Sequence, residues 1–89
     1  MYWVYFLYSK KVGNVYVGCT GSLKKRLKEH NDGLVESTKN RRPLILFHTE
    51  RYSNLSLARR REKYLKSLYG SRERKRIMKE CLEKNKEII

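Results

Sequence analysis

The feature that most constrains this chain is a carboxylate, Glu62, set in the apolar stripe of a helix. From Asn54 to Tyr69, the residues Leu55, Ala58, Leu65 and Tyr69 recur at helical spacing and fall on one face. At about 100° per residue Glu62 lies inside that face, between Ala58 and Leu65. Arg59, Arg60 and Lys63 mark the solvent side of the same helix. A carboxylate buried without a partner is costly or takes up a proton. The helix can therefore pack only where something positive meets Glu62. An arginine that props up the fold would serve, and so would a metal ion.

The rest of the chain sets the context for that choice. Its 89 residues make a single domain, 1–89, with a modest core. Seven tyrosines, two phenylalanines and one tryptophan point to aromatic packing in that core. With 22 basic against 9 acidic residues, the formal net charge is +13. A domain so basic is drawn to polyanions, nucleic acid first and an anionic membrane surface second. Cys19 and Cys81 lie far apart with no Cys/His cluster around them, which excludes a zinc site and leaves reduced thiols and a cytoplasmic protein as the expectation. The apolar start, Met1 to Tyr8, is too short for a membrane span and lacks the basic flank of a signal peptide.

Tyr2 to Tyr8, rich in aromatic and branched residues, reads as a strand. Lys10 to Asn14 supplies turn chemistry, and Val15 to Cys19 completes a hairpin. Depending on register, Tyr5 and Tyr16 share one face, with room beside them at Gly18. Ser22 is placed to cap a helix from Leu23 to about Asn31, whose inner face holds Leu23, Leu27 and His30. Arg26 stands at the edge of that face, one turn before His30, so the two side chains can meet. Leu34 to Arg42 reads as a polar loop, and Pro43 opens a third strand, Leu44 to Thr49. Arg51 to Asn54 reads as a connection in which Ser53 or Asn54 caps the Glu62 helix. That helix stops near Gly70, and a last helix runs from Ser71 or Arg72 to about Lys86, with Ile77, Met78, Cys81 and Leu82 available for packing. The order β-β-α-β-α-α describes a compact α/β domain with a small sheet.

Tyr5, Tyr16, Arg26 and Glu62 then point toward the interior or its rim, with His30 beside Arg26. Singly, each has an ordinary role in packing or snorkelling. Together they match the needs of phosphodiester hydrolysis: a metal, a base near an attacking water, and a cation on the phosphate. Glu62 offers an oxygen ligand for Mg²⁺, Arg26 a phosphate clamp, and a tyrosine the base.

The segments Trp3-Val4-Tyr5 and, ten residues on, Tyr16-Val17-Gly18 resemble the two motifs of the GIY-YIG nuclease superfamily. Arg26 and His30, one turn apart on the first helix, match the family's arginine and histidine, and Glu62 on a later helix matches its metal-binding glutamate. The likeness runs from residue 2 to about residue 80 and is greatest to short, stand-alone bacterial members. It implies a three-stranded sheet flanked by helices, with the site on the sheet face. It implies one divalent ion, Mg²⁺ or Mn²⁺, held by Glu62 and otherwise by water and substrate. It assigns Tyr5 or Tyr16 to activation of the water and Arg26 to stabilisation of the phosphorane. The chain departs from the family pattern in two places. Trp3 stands where the family name has glycine. No asparagine lies between Arg72 and Lys79, where many members carry one, and Asn85 falls too far along.

The reading is a metal-dependent endonuclease acting on DNA, with RNA also within its chemistry, possible structure selectivity, and a place in repair or recombination. The alternative is a nucleic-acid-binding domain on the same scaffold with little or no turnover. Both account for the charge, but only the first accounts for five polar residues converging on one face. Lys24, Lys25, Lys28, Lys39, Arg41, Arg59, Arg60, Lys63 and Lys66 are expected to meet phosphates rather than bases. No membrane partner is expected, because no basic amphipathic helix exposes large apolar residues. A protein partner or dimer is one route to specificity for a domain without attached recognition modules.

Overall fold

A computed structural model describes residues 1–84, apart from the side chain of Leu82. The branched and aromatic run at the start forms β1 (Tyr2–Ser9), which turns through Lys10–Gly13 into β2 (Asn14–Thr20). Gly13 takes the positive φ of 71° that closes this hairpin. Helix α1 (Leu23–Asn31) follows, then a loop with one 3-10 turn at Lys39–Arg41, then β3 (Leu44–Tyr52) after a cis Arg42–Pro43 bond. Helices α2 (Leu55–Lys66) and α3 (Ser71–Lys84) complete the described chain. All three strands pair antiparallel in the order β2-β1-β3, so the aromatic strand is central. The element order is the expected β-β-α-β-α-α. No helix of the described residues is long and apolar enough to cross a membrane.

Alternation along β1 splits the core in two. Val4 and Phe6 face α2 and α3 and pack with Val17, Ala58, Leu65 and Ile77. Tyr5 and Leu7 face α1, with Leu44 and the half-buried Tyr16, Leu23, Leu27 and Leu46 around them. The sheet is thus covered on both faces near its centre; Tyr5, Tyr16, Arg26 and His30 lie on the α1 side, and Glu62 is carried by α2.

Three features differ from the sequence reading, each for a physical reason. First, β3 continues through Arg51 to Tyr52, because β1 offers ladder partners as far as Tyr2. A register shift after the Phe6–His48 pair makes Phe47 an extra residue, a β-bulge. The bulge sends the rings of both Phe47 and His48 edge-on to Phe6, at 5.8 and 5.0 Å between centroids. It also breaks the simple alternation by which a strand end is read. Second, α2 ends at Lys66, and Tyr69 is 87% exposed rather than part of the buried stripe. Third, Ser22 occupies the N-cap of α1 without a side-chain bond to the helix; its own N–H donates to Thr20 Oγ1 at 3.0 Å. Asn54 does cap α2, its Oδ1 accepting from Leu57 N at 2.9 Å. The expected end of α3 near Lys86, like Asn85, falls outside the described residues.

Candidate active site

Tyr5 sits at the centre of the central strand and is 1% exposed. Its direct partner across the ladder is Gly18, and its ring lies over that glycine. A β-carbon at Gly18 would come within 2.9 Å of Tyr5 Cε1 and closer still to Cζ and Oη. Tyr16, two residues back on β2, is therefore a diagonal neighbour of Tyr5, with centroids 6.3 Å apart. His30, in the last turn of α1, is wholly buried and closes the group edge-on, 5.6 Å from the Tyr5 ring and 5.1 Å from the Tyr16 ring.

A chain of buried hydrogen bonds runs through these rings. Tyr5 Oη lies 2.8 Å from His30 Nε2, and His30 Nδ1 lies 2.7 Å from Thr38 Oγ1. Burial, with Arg26 and Arg41 adding positive charge nearby, pushes the His30 imidazole down to about 4. It is neutral at neutral pH, so one nitrogen donates and the other accepts. Burial pushes the Tyr5 hydroxyl up to about 12, against the opposing pull of the Arg26 guanidinium. Thr38, fully buried in the loop before the 3-10 turn, is absent from the sequence reading. No periodicity marks it, because its place is set by the loop bonds Thr38 N to Val35 O and Arg41 N to Thr38 O.

Arg26 is half-exposed and bonds Glu29 Oε1 at 3.2 Å, one turn on along α1. The expected meeting of Arg26 and His30 is replaced by this ion pair, while His30 turns inward to Tyr5 and Thr38. Arg26 instead borders an open cleft of about 440 Å³ that includes Cys19, Thr20, Gly21 and Lys25.

Glu62 is not buried among apolar neighbours: its side chain is 23% exposed and bonds Lys66 Nζ at 3.1 Å. The buried line of α2 runs through Ala58 and Leu65. Helical geometry sets Arg61 and Glu62 on opposite flanks of it, each roughly 50° away. Glu62 flanks the side of Tyr5 and Cys19, whose ionisation its negative charge opposes. Lys66 supplies the positive partner and also stands 5.2 Å from the Tyr16 ring centroid. Arg41 stands 5.7 Å from the same ring. With Arg74 these cations line a smaller groove of about 240 Å³ beside Tyr16.

Among the described residues no three His, Cys, Asp or Glu side chains come together to hold a metal. Glu62 is thus a single hard ligand, and only its Oε2 is bonded by a described residue. That donor set fits a Mg²⁺-like ion that keeps most of its water.

Of the expected phosphate contacts, Lys24, Lys25 and Lys28 are exposed on α1, and Arg59, Arg60, Lys63 and Lys66 on α2. Lys28 pairs with Asp32 and Lys39 with Glu36. Arg41 is held by Ser37 O and Asn14 Oδ1. Arg61 is not part of this surface. It grips Glu50 with Nε and Nη2, at 2.8 and 3.0 Å, and reaches Glu73 at 3.5 Å, tying β3, α2 and α3 together. Burial raises the Glu50 carboxyl, but bonds from Arg61, His48 and Tyr52 outweigh it and hold the group below its usual range.

Comparison with known proteins places this arrangement in context. A family model described as the GIY-YIG catalytic domain matches residues 1–76. The chain is 35% identical to the UPF0213 protein YazA of Bacillus subtilis over 86 residues, 96% of this chain and 85% of that protein. It is 39% identical to a UPF0213 protein of Clostridium perfringens, with 76% and 73% of the two chains covered. It is 34% identical to one of Natronomonas pharaonis, with 74% and 79% covered. No solved structure gives a significant match.

Proposed function

Since the chain belongs to the GIY-YIG family, we propose that it is a metal-dependent endonuclease that hydrolyses DNA phosphodiester bonds. One observation carries the reading: the buried chain Tyr5–His30–Thr38 ends on a hydroxyl beside Arg26 and Glu62. In this reading a water attacks phosphorus and passes its proton to Tyr5 Oη while the phenol proton moves to His30 Nε2. The leaving sugar oxygen takes a proton from solvent, and His30, whose charged form burial disfavours, returns its own proton through Tyr5 Oη to solvent. Thr38 accepts from Nδ1–H, the tautomer that leaves Nε2 free to receive. Arg26 donates to phosphate oxygens whose charge grows in the transition state. Glu62 would hold a divalent ion, which when bound would supply further positive charge to the phosphate. Tyr16 is the rival base, because it borders the groove of Lys66 and Arg41 and makes no hydrogen bond to His30 among the described residues. The reading places the protein in the cytoplasm, in repair or recombination.

The competing reading is a binder without turnover. Two observations favour it: the high Tyr5 hydroxyl and the lack of asparagine between Arg72 and Lys79. The test is a cleavage assay on branched, single-stranded and duplex DNAs and an RNA, with Mg²⁺ or Mn²⁺ and an EDTA control. Arg26→Ala is expected to slow cleavage by roughly a hundredfold or more with little loss of affinity. Glu62→Gln should abolish metal-dependent turnover. Of Tyr5→Phe and Tyr16→Phe, the first should cost far more. No metal-dependent cleavage by the wild type on any substrate would hand the function to the binder reading.

A further inference from the structure

The turn between α2 and α3 is densely hydrogen-bonded, yet it displays the two most exposed large apolar side chains among the described residues. Leu68 is 91% and Tyr69 87% exposed. A mobile loop would be an ordinary place for such residues, but this one is built. Ser67 bonds Tyr64 O through both N–H and Oγ, at 3.1 and 2.6 Å. Ser71 bonds Leu68 O through both N–H and Oγ, at 3.3 and 2.9 Å. Gly70 N donates to Ser67 O at 3.2 Å, and the Tyr64 hydroxyl donates to Tyr69 O at 3.4 Å. Arg74 ties the turn to the end of α2 through Leu65 O and Ser67 O. Gly70 is buried against α2, and a β-carbon there would overlap Tyr64 O. The bonds fix the turn against α2, but holding a tyrosine and a leucine in water adds nothing to the core, because neither side chain joins either core cluster.

The surroundings say what such a display suits. Beside it lies an open hollow of about 800 Å³, lined by Tyr64, Leu68, Tyr69, Arg72, Glu73 and Arg76 among others. Its carboxylate is already neutralised, since Glu73 is bonded by both Arg61 and Arg76. Arg72 makes no ion pair among the described residues, and Arg60 and Lys63 are likewise unpaired. The lining is therefore aromatic rings and guanidinium groups with a net positive charge. On its other side the same turn adjoins the groove of Lys66, Arg74 and Tyr16. A strand leaving the candidate site past Lys66 and Arg74 would cross the turn and meet Tyr69 next.

We propose that the Ser67–Gly70 turn is a stacking platform for the bases of a single-stranded nucleic-acid segment. The inference rests on the nucleic-acid half of the reading above. It adds the substrate class: DNA or RNA with an unpaired arm next to the scissile bond. Every base has a face to stack on an aromatic ring, so the platform gives selectivity for unpaired strand without selectivity for sequence. Arg72 and the unpaired cations of α2 hold the accompanying phosphates.

The experiment is binding in EDTA, where turnover plays no part. Labelled oligothymidine, its abasic counterpart of equal length and a blunt duplex are titrated by fluorescence anisotropy against wild type, Tyr69→Ala and Tyr69→Phe. Tyr69→Ala is expected to weaken oligothymidine roughly five- to hundredfold, the range for loss of one base stack. It should leave the abasic strand, the duplex and the salt slope within about twofold, because no charge changes. Tyr69→Phe should restore oligothymidine binding. Equal losses on oligothymidine and abasic strand, or no loss on oligothymidine, would overturn the platform. So would unchanged oligonucleotide affinity together with a wild-type dimer, seen by sedimentation, that Tyr69→Ala abolishes; the turn would then belong to a second copy of the chain. Failure of the wild type to bind any of the three would instead sink the nucleic-acid reading itself.

Discussion

Gly18→Ala opposes two effects of different sign and so tests the packing of the site directly. Gly18 lies in extended backbone, where alanine is unstrained and restricts the unfolded chain. On that ground alone the substitution would stabilise by about 0.4–1 kcal/mol. Against it stands the ring of Tyr5, whose Cε1 would lie 2.9 Å from the new methyl and whose Cζ and Oη would lie closer. The ring cannot swing away freely, because it is buried and its hydroxyl is bonded to His30. Forcing a methyl into a packed core costs about 1–3 kcal/mol. If the ring moves enough to part from His30, buried polar atoms lose their partners for about 1–3 kcal/mol more. Packing therefore wins, with a net loss of about 2–3 kcal/mol and a fall in Tm of roughly 10–20 °C for a domain of this size. Urea unfolding followed by circular dichroism measures the loss, and the His30 ring ¹⁵N shifts report whether the Tyr5 contact survives. A Gly18→Ala protein as stable as wild type or more so, with unchanged His30 shifts, would refute the argument that the glycine exists to seat Tyr5.

His30, held at about 4 against 6.5 for an ordinary histidine, binds its proton more readily in the unfolded chain. Its contribution to stability is complete above about pH 6.5 and drains away as pH falls toward 4. The total is about 3 kcal/mol at 1.36 kcal/mol per unit; urea midpoints from pH 7 to pH 4 should show the loss, and a pH profile equally steep in His30→Gln would contradict it. Arg61→Ala leaves Glu50 with only His48 and Tyr52 in a largely buried position. A destabilisation of roughly 2–3 kcal/mol is expected, below the full range for a buried pair because both partners keep some water. An Arg61→Ala protein within 0.5 kcal/mol of wild type, the usual scatter for surface substitutions, would show that the network carries nothing. Mn²⁺ titration should broaden backbone NMR signals around residues 58–66, and broadening centred on Glu80 or Glu83 would move the metal elsewhere.

The strand and helix order was readable because it rests on local chemistry: aromatic and branched runs for β1 and β2, a cap at Asn54, a proline before β3. The pairing of Tyr5 with Gly18 was legible only as an allowance of space, since register is fixed by the turn and by which face is buried. What escaped was set by partners distant in sequence. Thr38 reaches His30 through loop bonds, and Glu50 meets Arg61 because the extra residue at Phe47 sets Glu50 opposite Val4, on the face that α2 covers. Glu62 shows how the choice of stripe residues biases a pattern. Counting Leu55 and Tyr69 in the stripe draws the buried line of α2 toward Glu62 and away from Arg61. Only Ala58 and Leu65 of α2 are buried, Leu55 is half-buried and Tyr69 lies beyond the helix end, so the line centres on Ala58 and Leu65. Glu62 then becomes a flank residue, part-exposed with Lys66 as partner and open enough to offer an oxygen to a hydrated ion. Arg61, on the opposite flank, takes the structural ion pair that position alone had suggested for Glu62. The same two residues thus divide the roles, one guanidinium committed to the fold and one carboxylate left for the ion that the proposed endonuclease requires.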